Sequence, residues 1–110
     1  NQKNGYLDNR GGFISFSTGS SGVARMRIEN SAQVTFMGSA LPSSNNSYDL
    51  GSSSYRWRNV YSFDLQLSNK GGANDVDGTW GDYTIQEGES KLFVINNRTG
   101  KKYSLVMEEE

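Results

Sequence analysis

The sequence predicts an all-β fold of short strands, and three observations predict it. Gly, Ser and Asn supply about 36% of the 110 residues, and one of them interrupts nearly every window of ten, so no long helix is expected. Apolar and polar residues alternate over several short segments, which is the period of a half-buried strand. Clusters of turn-forming residues separate these segments.

The aliphatic content is low for a protein that folds alone. Leu, Ile, Val and Phe together supply only about 20% of the chain. A lone domain of this size with so few large apolar side chains would be marginally stable. We therefore expect its strands to be buried against other copies of the chain or against a longer parent chain.

The first half of the chain predicts three strands, at residues 13–16, 23–29 and 33–37. The second has the clearest pattern, because Ala24, Met26 and Ile28 alternate with charged residues and so give one apolar and one charged face. Glycine-rich and Asn-Ser turns separate the three. Residues 38–54 contain no such alternation and are expected to form a loop.

The strongest alternation follows, over residues 55–67. Six of the seven odd positions are apolar or aromatic: Tyr55, Trp57, Tyr61, Phe63, Leu65 and Leu67. Asn59 and Val60 interrupt the pattern, which suggests a bulge or a break into two strands. A helix would leave Phe63 and Leu67 off its apolar stripe, so the pattern favours a strand.

The last third predicts a three-stranded antiparallel meander. The polar, turn-rich residues 69–81 precede strands at 83–87, 91–96 and 101–107, which are joined by short glycine-containing turns. The strand at 91–96 is apolar on both faces, so we expect it to be central and buried.

Composition and charge narrow the classes of function. The formal net charge is −1, which argues against a nucleic-acid partner. The chain has no Cys and no His, so it can form neither a disulfide framework nor a Cys/His zinc site nor a triad with an imidazole base. No apolar run is long enough to predict membrane insertion. No motif in the sequence indicates a cofactor.

Two segments carry a family resemblance. The stretch Ala24-Arg25-Met26-Arg27-Ile28-Glu29-Asn30-Ser31 resembles the ERMRIDSSG strand-turn element of bacteriophage tail-fibre and tailspike proteins. The stretch Leu50-Gly51-Ser52-Ser53-Ser54-Tyr55-Arg56-Trp57-Arg58-Asn59-Val60-Tyr61 resembles the LGSSSxRWxNIY element that often follows it. The ordered pair covers roughly residues 23–67, and each element alone is less specific than the pair.

The resemblance implies an intertwined homotrimeric fibre, in which three chains build short sheets whose apolar faces meet at the axis. Residues 1–68 would then form a fibre shaft or neck, and residues 69–110 a small terminal meander that serves as tip or cap. The expected trimer core consists of Met26, Ile28, Trp57, Tyr61, Phe63 and Leu65. In this family the second element commonly lies just upstream of a self-cleaving endosialidase-type chaperone, whereas residues 78–107 follow it here.

The function implied is that of a structural and receptor-binding module on the virion. Its partners would be two further copies of itself, other phage tail proteins, and a bacterial surface polysaccharide or lipopolysaccharide. Three identical weak sites on one rigid tip would gain avidity on a repetitive surface. The alternatives are a fragment of a polysaccharide depolymerase, a purely structural trimerisation cap or connector, and a monomeric carbohydrate-binding module of cellular origin.

The candidate glycan contacts lie beside the meander. Trp80, Asp82 and Tyr83 combine aromatic faces, which can stack on a sugar, with a carboxylate that accepts hydrogen bonds from hydroxyls. Asn97 and Arg98 belong to a hairpin turn, where recognition residues often lie. The alternative is a plain turn in each place, with Trp80 covering the core.

Three further site hypotheses concern charged residues. Asp75 and Asp77 could bind a metal, although their spacing fails the EF-hand pattern and an ordinary Asp-Gly turn explains them equally. Paired carboxylates among Asp75, Asp77, Asp82, Glu87 and Glu89 could hydrolyse glycosides, but no catalytic residue is assigned, because none is marked as a general acid. The arginines at positions 25, 27, 56 and 58 could bind anions or form a solvated face.

Overall fold

The computed structural model describes residues 6–110 and confirms the all-β class. Over that range it contains eight strands and no helix, arranged as two antiparallel sheets of four strands each. The chain divides into two units between Ser52 and Ser53, with one sheet in each. In both sheets the strands follow one another in chain order, so every connection joins neighbouring strands.

The first sheet confirms the three strands expected in the first half of the chain and adds one before them. Its strands are β1 (Tyr6–Arg10), β2 (Phe13–Thr18), β3 (Val23–Glu29) and β4 (Val34–Phe36). β1 escaped prediction because its sequence does not alternate. A two-residue turn joins it to β2, and Gly11 adopts a φ of 48°, the left-handed conformation that favours glycine.

The register of the first sheet collects six large apolar residues on one face. Phe16 lies opposite Met26, which in turn lies opposite Phe36, and a second row joins Ile14, Ile28 and Val34. The other face carries the polar partners, including Ser15 opposite Arg27. This division follows from the two-residue period of the strands.

The second sheet contains the predicted three-stranded meander and one further strand. Its strands are β5 (Leu65–Ser68), β6 (Asp82–Glu87), β7 (Leu92–Asn96) and β8 (Lys102–Ser104). β7 pairs on both sides and is therefore central, as predicted. Its burial was overestimated, since Leu92, Val94 and Ile95 are only half-buried and Phe93 is exposed. In a single sheet, the neighbouring strands satisfy the backbone of an interior strand, but its side chains on both faces stay accessible to solvent.

The strand predicted over residues 55–67 is wrong for most of its length. The structure has no strand between Phe36 and Leu65, and only the last residues of the alternating segment pair with a neighbour. The aromatic side chains before Leu65 are largely exposed, among them Tyr61 at 91% and Phe63 at 90%. Alternation of apolar and polar residues indicates that one side of the segment is apolar. It does not show that a neighbouring strand is available to pair with the segment. The expected division at residue 68 falls between β5 and its partner β6.

No apolar side chain is buried among the residues whose side chains the structure describes, which are residue 9 and residues 11–110. The three buried residues there are polar: Ser15, Ser17 and Thr84. Of the six residues expected in a trimer core, Met26 is half-buried, while Ile28, Trp57, Tyr61, Phe63 and Leu65 are exposed in the single chain. Their placement at a threefold axis stays a prediction.

A hydroxyl holds the polar face of the second sheet together. The Thr84 hydroxyl donates to Gln66 Oε1 at 2.7 Å and accepts from Asn97 Nδ2 at 2.9 Å, so it joins β5, β6 and the turn after β7. We expect Thr84→Val to lower the free energy of unfolding by about 1 kcal/mol, because two hydrogen bonds are lost at a buried position.

Urea unfolding at one fixed protein concentration measures this change, since association would couple stability to concentration. Thr35→Val is the matched control, because Thr35 is exposed on the edge strand β4. An equal midpoint for the Thr84 variant and the control would contradict the assignment.

Candidate functional site

A polar loop of residues 69–81, the β5–β6 loop, builds the most developed site in the second sheet. Asn69 closes its base: the backbone N–H of Asn69 donates to Gly81 O at 3.3 Å, and its side-chain Oδ1 accepts from the Gly81 N–H at 2.8 Å. Asn69 Nδ2 also donates to Thr79 O at 3.2 Å. One asparagine thereby fixes both ends of the loop.

Asn74 and Asp77 organise the interior of this loop. Asn74 Oδ1 accepts from the backbone N–H groups of Val76 and Asp77 at 2.7 and 2.9 Å, which is an Asx-turn arrangement. Asp77 Oδ1 accepts from the Thr79 hydroxyl at 2.7 Å, the Thr79 N–H at 3.1 Å and Asn74 Nδ2 at 2.7 Å. These bonds, those to Thr79 and Asn74 above all, lower the pKa of Asp77 below its ordinary 3.8.

The loop and the adjoining strands line an open, solvent-facing cavity of about 620 Å³. This volume lies within the range of about 300–1,000 Å³ that is typical of sites for small ligands. The lining combines aromatic and apolar side chains with amides and carboxylates. It consists of Leu67, Ser68, Asn69, Ala73, Asn74, Asp75, Asp77, Thr79, Trp80, Gly81 and Tyr83.

Trp80 is held in place from the turn after β7. The guanidinium carbon of Arg98 lies 3.7 Å from the centroid of the indole ring, and Arg98 Nη1 donates to the Trp80 carbonyl at 3.0 Å. The stacking is a cation–π contact, and the hydrogen bond fixes the guanidinium over the ring. Trp80 is half-buried. A sequence separation of 18 residues hid this contact from sequence analysis.

Four of the five residues predicted as glycan contacts form two contacting pairs, and the fifth, Tyr83, shares the cavity lining with Trp80. Trp80 and Arg98 stack, while Asp82 Oδ1 accepts from Asn97 Nδ2 at 2.9 Å and the Asp82 carbonyl accepts from the Asn97 N–H at 2.8 Å. Tyr83 and Trp80 line the cavity. Asp82 and Asn97 hold the turn against the sheet, so their polar groups are engaged within the protein.

The other candidate residues have local partners or separate locations. Among the side chains that the structure describes, residue 9 and residues 11–110, no three Asp, Glu, His or Cys residues come together as a metal site. The lowered pKa of Asp77 is the opposite of what a general acid needs. Arg25 Nε donates to Thr18 Oγ1 at 2.8 Å, and Arg27 lies 3.7 Å from Glu29 and 4.9 Å over the Phe13 ring.

Sequence analysis missed the residues that shape the cavity. Asn69, Asn74 and Thr79 pin the loop, and Leu67 contributes an apolar wall. The succession Asn-Asp-Val-Asp-Gly at residues 74–78 carried the available signal, because Asn and Asp bond their own backbone two residues on in such turns.

Comparison with known proteins gives no relative for this chain. No protein-family model matches it, and neither a curated protein nor a solved structure matches it. In the part of the chain that the structure describes, no helix has the length and apolar character needed to cross a membrane.

The Asp77 carboxylate is expected to titrate at unusually low pH. Its pKa in the folded loop lies below 3.8, so its bonds to Thr79 are complete above about pH 5 and are lost as pH falls through that lowered pKa. NMR titration of the Thr79 amide proton should give a midpoint below 3.8. Asp77→Asn should abolish this transition and Asp75→Asn should leave it unchanged; a midpoint at or above 3.8 would contradict the bonding scheme.

Removing the Arg98 guanidinium is expected to expose Trp80. With Trp57→Phe as background, Trp80 is the one remaining tryptophan of the sequence and reports alone. Arg98→Ala should raise the acrylamide quenching constant about twofold, because the cation over the ring is lost. Lys101→Ala in the same background removes a cation three residues further along the chain as the control. Equal quenching in both variants would show that the stacking does not persist in solution.

Proposed function

We propose that this chain is a structural and receptor-binding module of a phage tail fibre, which works as a homotrimer and attaches the virion to a glycan on the bacterial surface. One observation carries the proposal. No apolar side chain is buried among the described residues, although each sheet presents a continuous apolar face.

The apolar faces are what a self-associating module requires. On the first sheet, Phe16, Ile28, Val34 and Phe36 are between 38% and 53% exposed. The second sheet has a similar face, where Leu65 lies opposite Ile85, which lies opposite Val94, which lies opposite Tyr103. A sheet with one apolar face is stable only when a second layer covers that face. Identical chains related by a rotation axis can supply this layer.

The number three rests on the resemblance to tail-fibre proteins. The first resembling element coincides with β3, whose apolar residues lie in the centre of the exposed rows. The second element contains Trp57 and Tyr61, which are 64% and 91% exposed. Both elements therefore present apolar side chains without cover, as segments that wrap around a common axis do.

The β5–β6 loop supports the receptor-binding part of the proposal. It places Trp80 and Tyr83 in an open cavity beside carboxylate and amide groups. Aromatic walls with a few fixed polar groups are typical of ligand sites. Three copies on one rigid assembly would convert weak single contacts into avid attachment.

Two neighbouring residues of β4 allow a matched test of the trimer. Phe36 belongs to the apolar face, and Thr35 points to the opposite face, across from Arg27. Light scattering on a size-exclusion column should give three times 12.2 kDa for the unaltered chain. Phe36→Asp should reduce that mass, because it buries a charge in the interface, and Thr35→Asp should preserve it.

Two results would contradict the proposal. One is a folded monomer for the unaltered chain at micromolar concentration. The other is a Phe36→Asp protein that stays as trimeric as the Thr35→Asp protein, since the apolar face would then lie outside the interface.

A further inference from the structure

We propose that the cavity under the β5–β6 loop binds a pyranose residue that carries no acidic group, and that the cavity rejects uronic acids and sugar phosphates. This inference rests on the proposed function, because it specifies which kind of glycan unit the attachment site would take. It follows from the fixed aromatic wall, the one unengaged carboxylate and the charge of the lining.

The aromatic wall is fixed before any ligand arrives. Arg98 clamps Trp80 through the ring stack at 3.7 Å and the hydrogen bond at 3.0 Å. The Tyr83 ring lies so close to the loop that a Cβ at Gly81 would come within 2.9 Å of Tyr83 Cε2. Leu67 stands opposite Tyr83 in the sheet register. These three side chains offer a preformed surface to the C–H face of a pyranose ring.

One carboxylate of the lining is available to a ligand. Asn74, Asp77 and Thr79 use their polar atoms on one another. The Asp75 carboxylate makes no hydrogen bond or ion pair to any residue of the described range. It can accept two hydrogen bonds from adjacent sugar hydroxyls, which are the commonest donors on a pyranose.

The charge of the lining excludes acidic ligands. Asp75 and Asp77 both contribute carboxylates, and no Lys, Arg or His is among the lining residues. Asp77 is ionised at neutral pH, because hydrogen bonds to its carboxylate lower a pKa that already lies well below 7. Arg98 is engaged with Trp80 and stands outside the lining. A carboxylate or phosphate would therefore meet like charge with no paired cation.

Matched methyl glycosides test this selectivity on the full chain. The uncharged probes are the methyl glycosides of glucose, galactose, mannose and N-acetylglucosamine, and the acidic probes are those of glucuronic and galacturonic acid. NMR titration follows the indole N–H of Trp80 and the ring of Tyr83. We expect at least one uncharged probe to shift both, and its acidic counterpart to bind at least about tenfold more weakly. The Trp57 indole lies outside the cavity lining and is the internal control, so it should not shift.

A charge variant connects the selectivity to Asp75. Asp75→Asn keeps the shape of the side chain, so uncharged binding should fall several-fold while the penalty against the acidic probe becomes smaller. Asp49→Asn changes the same charge outside the cavity and should alter neither. Equal binding of the acidic and uncharged members, shifts that spare Trp80 and Tyr83, or no binding by any probe would each overturn the inference.

The same samples separate this inference from the proposed function. A trimer that adheres to bacterial cells while no probe shifts Trp80 would overturn the cavity assignment and leave the fibre proposal standing. A monomeric chain would overturn the fibre proposal itself, whatever the probes do at the cavity.

Discussion

The rest of the structure depends on one constraint. Each sheet is a single layer with an apolar face, and the described residues of its own unit do not bury that face. Phe16, Met26 and Phe36 form one such row, and none of the three is buried. Burying apolar area contributes roughly 25 cal/mol per Å², the largest favourable term in folding. A chain that buries little apolar area within each unit can gain this free energy by associating with other chains. Association would therefore explain how a sequence rich in glycine, serine and asparagine forms a stable structure.

Polar contacts fix the local geometry that a core would fix in an ordinary domain. Thr84 joins three elements of the second sheet through its hydroxyl, and Asn69 and Asn74 close the β5–β6 loop. Such side-chain bonds are directional, so they set a loop conformation without requiring large apolar side chains. These bonds do not involve the Asp75 carboxylate, which lines the same cavity as Trp80. The features that shape the loop are therefore also the features that shape the candidate site.

Sequence analysis predicted the elements whose signal is local. The alternation in β3 gave its bounds, and the turn residues placed the final meander, because period and turn chemistry act over a few residues. The strand prediction around Trp57 was wrong, because alternation indicates only that one side of a segment is apolar and carries no information about a pairing strand. The stack of Arg98 on Trp80 and the pairing of β5 with β6 could not be predicted, because both join residues far apart in sequence.

The cover of the apolar faces can be measured directly by hydroxyl-radical footprinting of the assembled protein, with mass spectrometry reading each side chain. The account predicts that Phe16, Phe36 and Phe63 are strongly protected relative to the urea-unfolded chain, although they are 42%, 53% and 90% exposed in the single chain. Exposed Val76, at 96% in the β5–β6 loop, should be modified as fast as in the unfolded chain. Rapid modification of all three phenylalanines in the folded protein would contradict the account, because the apolar faces would then remain in water.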